Sequence, residues 1–172
     1  MQILKEKSRA KSQITFDEDF NVPDAKPDAG RLIQNKGRII MDDVRLTDGK
    51  GILTGNLQVD ILYVGEESGI VSSLTVKLPF EETLNLKNII NGDKMCLKWE
   101  IEDLTIRLIH SRKLNIKALV TFCATVDETE QIRLPVALDA EEVSVRKKTV
   151  RFLGLTVHKK DTLRIKDEYT IA

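Results

Sequence analysis

Apolar side chains recur at every second position along much of this chain. Leu57, Val59, Ile61 and Tyr63 alternate with Gln58 and Asp60, Leu74, Val76 and Leu78 with Thr75 and Lys77, and Leu97, Trp99 and Ile101 with Lys98 and Glu100. Successive side chains of a strand point to opposite faces, so each run predicts a strand with one buried and one wetted face. The longest pattern holds the even phase from Leu104 through Ile106 and Leu108, breaks at His110, Ser111 and Arg112, and resumes from Leu114 to Val126. Polar residues inside an apolar phase predict a kink, bulge or tight turn near Ser111.

Turn chemistry divides these runs. Asp48-Gly49, Glu66-Glu67-Ser68-Gly69 and Asn91-Gly92-Asp93 each stand between two β-rich stretches, the pattern of antiparallel hairpins. Further β-rich pieces follow Pro135, at 143–145, 150–157 (with Gly154 inside it) and 163–171, although 139–147 also suits a short helix with acids first and bases last. No strand-helix alternation occurs, which disfavours a parallel sheet. The expected fold is all-β, an antiparallel β-sandwich over residues 21–172 preceded by an extended N-terminal arm, residues 1–20. Asn21 to Gly30, with Pro23 and Pro27, forms a stiff entry to the sandwich. The arm holds a strand-like 13–16. Its end, 15–22, resembles 163–171, the kind of repetition that units added end to end show.

Composition agrees with strands, since Val, Ile and Thr supply 43 of the 172 residues. The 27 basic residues balance the 27 acidic ones, so the electrostatic footprint of a nucleic-acid binder is missing. No apolar run approaches the roughly 18 residues that cross a bilayer, and the charged N-terminus does not read as a signal peptide. Two cysteines, Cys96 and Cys123, make no disulfide framework, and intracellular synthesis is the default expectation.

Catalytic candidates are few. His110 and His158 are the only histidines and neither stands at a metal-ligand spacing from a cysteine. Gly49-Lys50-Gly51 is too short for a phosphate-binding loop and reads as a hairpin turn. The pairs Asp42-Asp43, Glu81-Glu82 and Glu141-Glu142 are adjacent, so in a strand they diverge unless a bulge intervenes, and they read as solvated surface. A free cysteine is most often a small buried hydrophobe, with an intermolecular disulfide as the sharper alternative. Trp99, the one tryptophan, shares the apolar phase of its strand and is expected in the core. We therefore expect no enzyme, no catalytic residue, no cofactor and no metal.

Three stretches carry a family resemblance: Val22-Pro23-Asp24-Ala25-Lys26-Pro27-Asp28-Ala29-Gly30-Arg31, then Asn56 to Val64, and above all Glu102-Asp103-Leu104 followed by Arg107-Leu108-Ile109-His110-Ser111-Arg112-Lys113-Leu114. Together they resemble the SPOCS domain of sporulation proteins, found in SipL and SpoVID-type coat morphogenesis proteins of endospore-forming bacteria, over about residues 20 to 172. The resemblance implies a non-enzymatic β-rich module made in the mother-cell cytoplasm and placed in the spore coat or on the spore surface. In the coat proteins such modules occur with a LysM domain that docks on the coat-basement ATPase; this chain stops at Ala172 without one, which fits a lone assembling module better.

The leading expectation is a structural protein that self-assembles into a coat layer or surface fibre, a homo-oligomer or filament joined through the arm and the sheet edges. Ile3, Ile14, Phe16 and Phe20 would be the apolar anchors of that subunit interface, and removing the arm is expected to leave a folded monomer. The alternative is a scaffold module that recruits another spore coat protein, and a third class is a small-ligand or carbohydrate-binding sandwich. The family-motif residues Arg107, Ser111, Arg112 and Lys113 place three cations beside Glu102 and Asp103. They are expected to pair with these acids or a partner's, or simply to stabilise one hairpin at its solvent face.

Overall fold

The computed structural model describes residues 2–90 and 93–133, together with 144, 146, 148, 149 and 151. Six strands account for nearly all of the continuous stretches: β1 (Gln2–Asn21), β2 (Ala29–Thr47), β3 (Lys50–Gly65), β4 (Val71–Asn85), β5 (Met95–His110) and β6 (Lys113–Gln131). They form two three-stranded sheets, ordered β1-β6-β5 and β2-β3-β4. The fold among the described residues is thus all-β, as the alternation predicts. The β-rich pieces expected after Pro135, the repeat at 163–171 and His158 lie outside the described residues.

Register follows the apolar phase. In the second sheet Leu57 stands opposite Ile39 and Leu78, and Val59 opposite Gly37 and Val76, all antiparallel. In the first sheet Phe122 opposes Trp99, and Ile116 opposes Ile106. Side-chain contacts fix the direction of β1: Gln13 reaches Thr121 while Asp17 reaches Lys117 and Lys113 reaches Asp19, an ascending order on one strand against a descending one on the other. The interruption near Ser111 is a two-residue turn, since His110 pairs with Lys113 across the β5–β6 hairpin. The β2–β3 turn places Gly49 at φ 78°, a left-handed conformation that suits glycine.

The two sheets face each other in the body Glu6–Glu128. Phe80 of β4 meets Phe16 of β1 edge-on, ring centroids 6.3 Å apart, and Phe122 of β6 at 5.2 Å, so aromatic contacts tie one sheet to the other. Around them Leu53, Leu57, Tyr63, Leu114, Ile116 and Val120 are fully buried. On that flank the rim is closed by Ser12 of β1 donating to Glu82 of β4 at 2.5 Å. On the other flank β2 lies over β5: a Cβ added to Gly37 would come within 2.9 Å of Leu104 Cδ2 and 3.1 Å of Ile101 Cδ1, so this crossing requires a residue without a side chain. Met1–Lys5 and Thr129–Ala172 separate as a second unit, in whose described part Lys5 pairs with Glu130 at 3.2 Å.

One expectation is corrected here. Residues 2–21 are no arm lying outside the sandwich; they are an edge strand of the chain's own sheet, hydrogen-bonded to β6. Phe16 is only 6% exposed, and Ile14 and Phe20 pack against the same core, while Ile3 is half-buried. The physical reason lies in the even phase of the second half of β1, where Ala10, Ile14, Phe16 and Phe20 pack on the core of their own sandwich and leave little to donate.

Candidate functional site

Two of the motif residues, Ser111 and Arg112, converge on the crossover between β1 and β2. Arg112, in the β5–β6 turn, places its guanidinium among four acceptors of that segment. Nη1 donates to Asp28 Oδ1 at 2.7 Å and to the Lys26 carbonyl at 3.1 Å, and Nη2 to Asp24 Oδ1 at 2.9 Å and to the Val22 carbonyl at 3.0 Å. Ser111 Oγ donates to the other oxygen of Asp28 at 3.2 Å. Backbone bonds reinforce the grip, with the Val22 amide donating to the Arg112 carbonyl and the Ala29 amide to that of Ser111. From the far side Tyr63 Oη donates to the Pro27 carbonyl at 2.9 Å, and the Glu66 amide to the Asp28 carbonyl. The result is a clasp that fixes how the chain leaves one sheet and enters the other. Arginine suits it because a planar fork with five donors serves several acceptors at once.

The electrostatics follow from these contacts. The Arg112 guanidinium holds the Asp28 carboxyl below the usual carboxylate range, and Asp28 in turn raises the pKa of Arg112. Beside the clasp, Lys113 pairs with Asp19 at 2.8 Å and Lys117 with Asp17 at 2.7 Å, and Asn115 bridges both acids. Asp17 and Asp19 are therefore also held low, mainly by Lys117 and Lys113 respectively. Among the described residues the motif cations do not pair with Glu102 and Asp103, one of the alternatives weighed for them. Glu102 instead accepts from Thr121 and Gln13, and Arg107 stands exposed without an ion pair among the described residues. Sequence reading thus found Ser111, Arg112 and Lys113 but not their acids, although Asp24 and Asp28 lay within the Val22–Arg31 stretch it had marked.

The second feature is the flank where β2 lies over β5. Among the described residues both are terminal strands of their sheets. Five of the nine exposed large apolar side chains among the described residues sit on them: Ile33, Ile40 and Val44 on β2, Trp99 and Ile109 on β5. Trp99, expected in the core, is 40% exposed. It keeps the inward phase of its strand, but among the described residues β5 has no further strand beside it to cover the ring. A terminal strand presents unpaired backbone donors and acceptors, so this flank combines backbone hydrogen-bonding capacity with apolar anchors.

Other chemistry is engaged locally. A cavity of about 330 Å³ on the outward face of the second sheet is lined by Gln34, Lys36, Asp60, Leu62, Ser73 and Thr75 among others. Its carboxylate, Asp60, already accepts from Thr75 and Gln58 and pairs with Arg38, and the first of these contributes most to holding it below the usual range. A bulge does occur at Asp42-Asp43, yet Asp42 accepts from Asn56 while Asp43 binds Arg45. His110 accepts from the Arg112 amide in the hairpin turn. Among the described residues no three or more His, Cys, Asp or Glu side chains are grouped for a metal ion, and no helix is long and apolar enough to cross a membrane.

Residues 28–109 match the family model described as SipL, SPOCS domain. The matched segment begins at Asp28, the central acid of the clasp, and takes in β2 through nearly all of β5. No curated protein and no solved structure matches the chain.

Proposed function

Since residues 28–109 match the family model described as SipL, SPOCS domain, we propose that this chain is a non-enzymatic module of the spore coat that receives an extended segment of another coat protein on its β2–β5 flank. One observation carries the reading: among the described residues, 2–21 complete the chain's own sheet and so are not held out for another copy, while β2 and β5 end their sheets and can receive a strand. The added strand would hydrogen-bond to the free edge of β5 or β2 and set side chains against Trp99 or Ile40. Aromatic residues that are half-exposed in an isolated subunit are the kind of side chain on which binding energy concentrates. The Arg112 clasp takes part indirectly, by holding the sheets in the alignment that stacks these two edges.

The experiment is a pair of substitutions in a sporulating host, Trp99→Ala on β5 and Ile40→Lys on β2, each fused to a fluorescent reporter. Retained folding of the purified variants, with loss of the reporter from the spore layer for at least one of them, is the expected result. Undiminished incorporation of both folded variants would refute the flank as the docking surface.

A further inference from the structure

Cys96 and Cys123 lie on the outward face of the first sheet. The register puts Cys96 opposite Thr125 and Lys98 opposite Cys123, so the thiols occupy one diagonal of a four-residue square on adjacent strands. Cys96 is exposed and Cys123 partly so, and both are free. Neither thiol is used by the core, the clasp or the β2–β5 flank.

Distance decides what such a pair can do. Diagonal neighbours across an antiparallel pair have Cα atoms about 7–8 Å apart, with the Cβ atoms somewhat closer. A disulfide needs Cα atoms within about 6.8 Å and Cβ atoms within about 4.5 Å, so direct oxidation would require the two paired strands to move. A single thiophilic atom between the sulfurs removes that demand, because its two bonds of about 2.3 Å each, the length of a zinc–thiolate bond, add reach across the gap. Soft thiolate ligands select soft centres. The other diagonal carries the Lys98 ammonium, which disfavours a centre that keeps positive charge and favours one neutralised by two thiolates.

We propose that Cys96 and Cys123 form a two-thiol site for a thiophilic metalloid centre of the trivalent arsenic type. Binding exchanges bonds without oxidation or reduction. With an organoarsenic oxide the two sulfur–arsenic bonds form as the arsenic–oxygen bond breaks, and the oxygen leaves as water with both thiol protons. The inference stands apart from the proposed function, since it uses the opposite face of β5.

Phenylarsine oxide tests it on the full chain. One equivalent is expected to block both thiols against a chromogenic disulfide reagent, whereas N-ethylmaleimide needs two equivalents. Cys96→Ser and Cys123→Ser should each hold the arsenical at least about tenfold more weakly, a loss of about 1.4 kcal/mol or more. Sedimentation should show the loaded chain unchanged in size. Two thiols that still react after one equivalent, single variants that bind as tightly as the parent, or arsenical-linked dimers would each overturn the site. Circular dichroism of the serine variants confirms that any loss is not unfolding.

Discussion

Arg112 shows how much a single side chain is asked to do. It faces two carboxylates and two carbonyls, and an alanine there would leave all four without their shared donor. Arg112→Ala is expected to lower the thermal midpoint clearly, and Arg112→Lys to recover only part of it, because an ammonium cannot reproduce the fork. Calorimetry checks both. The carboxylates Asp17, Asp19, Asp28, Asp60, Asp93 and Glu102 all have folded pKa values below their ordinary ones, with Lys7 as the main cause at Asp93 and Thr121 at Glu102. A depressed folded pKa means that the unfolded chain binds the proton more readily. The stabilisation is therefore present above the unfolded value and lost as pH falls through the folded one. Thermal midpoints should stay nearly flat down to about pH 5 and fall below about pH 4, and Asp28→Asn should make that acid-side fall shallower. In the core, Phe122→Ala removes a fully buried ring that bridges toward the other sheet and should cost about 3–5 kcal/mol in denaturant unfolding. At this scale sequence legibility was uneven. Ser111-Arg112-Lys113 stood out, but the acids that complete the clasp lie 84 and 88 positions away, beyond any local pattern.

Strands were the most legible elements. Side-chain alternation states which face of a strand is buried, and the phases of Leu57–Tyr63 and Leu114–Val126 are those found in the core. Strand order is different, since which strand is central and which terminal depends on partners far along the chain. Trp99 and Phe122 sit opposite each other with the same phase, yet one is 40% exposed and the other buried, because among the described residues β6 lies between two strands and β5 does not. The same blindness made residues 1–20 look like a detachable arm, although Ala10, Ile14, Phe16 and Phe20 share one phase and pack on the core. Deleting residues 2–21 should uncover β6 and remove Phe16 from the core, so the expected product is an aggregating or unfolded chain by circular dichroism. A folded monomer would contradict the place of β1. Gly55 offers a finer test of sheet packing. A Cβ there would meet the Ile40 carbonyl at 2.5 Å and the Phe80 ring at 2.9 Å, so Gly55→Ala is expected to destabilise by about 1–3 kcal/mol through overpacking.

At the largest scale, the two sheets of the described residues are joined by a clasp on one crossover and by aromatic contacts across the core. The charges of the chain balance, so nothing in net charge drives it toward a polyanion. Among the described residues the β2–β5 flank is left open, and in the proposed function it receives a segment of a different protein rather than the N-terminus of another copy. Sedimentation velocity of the purified full-length chain tests this most directly. The prediction is one species of monomer mass whose sedimentation does not change as concentration rises. Large homo-oligomers forming from this chain alone would contradict it.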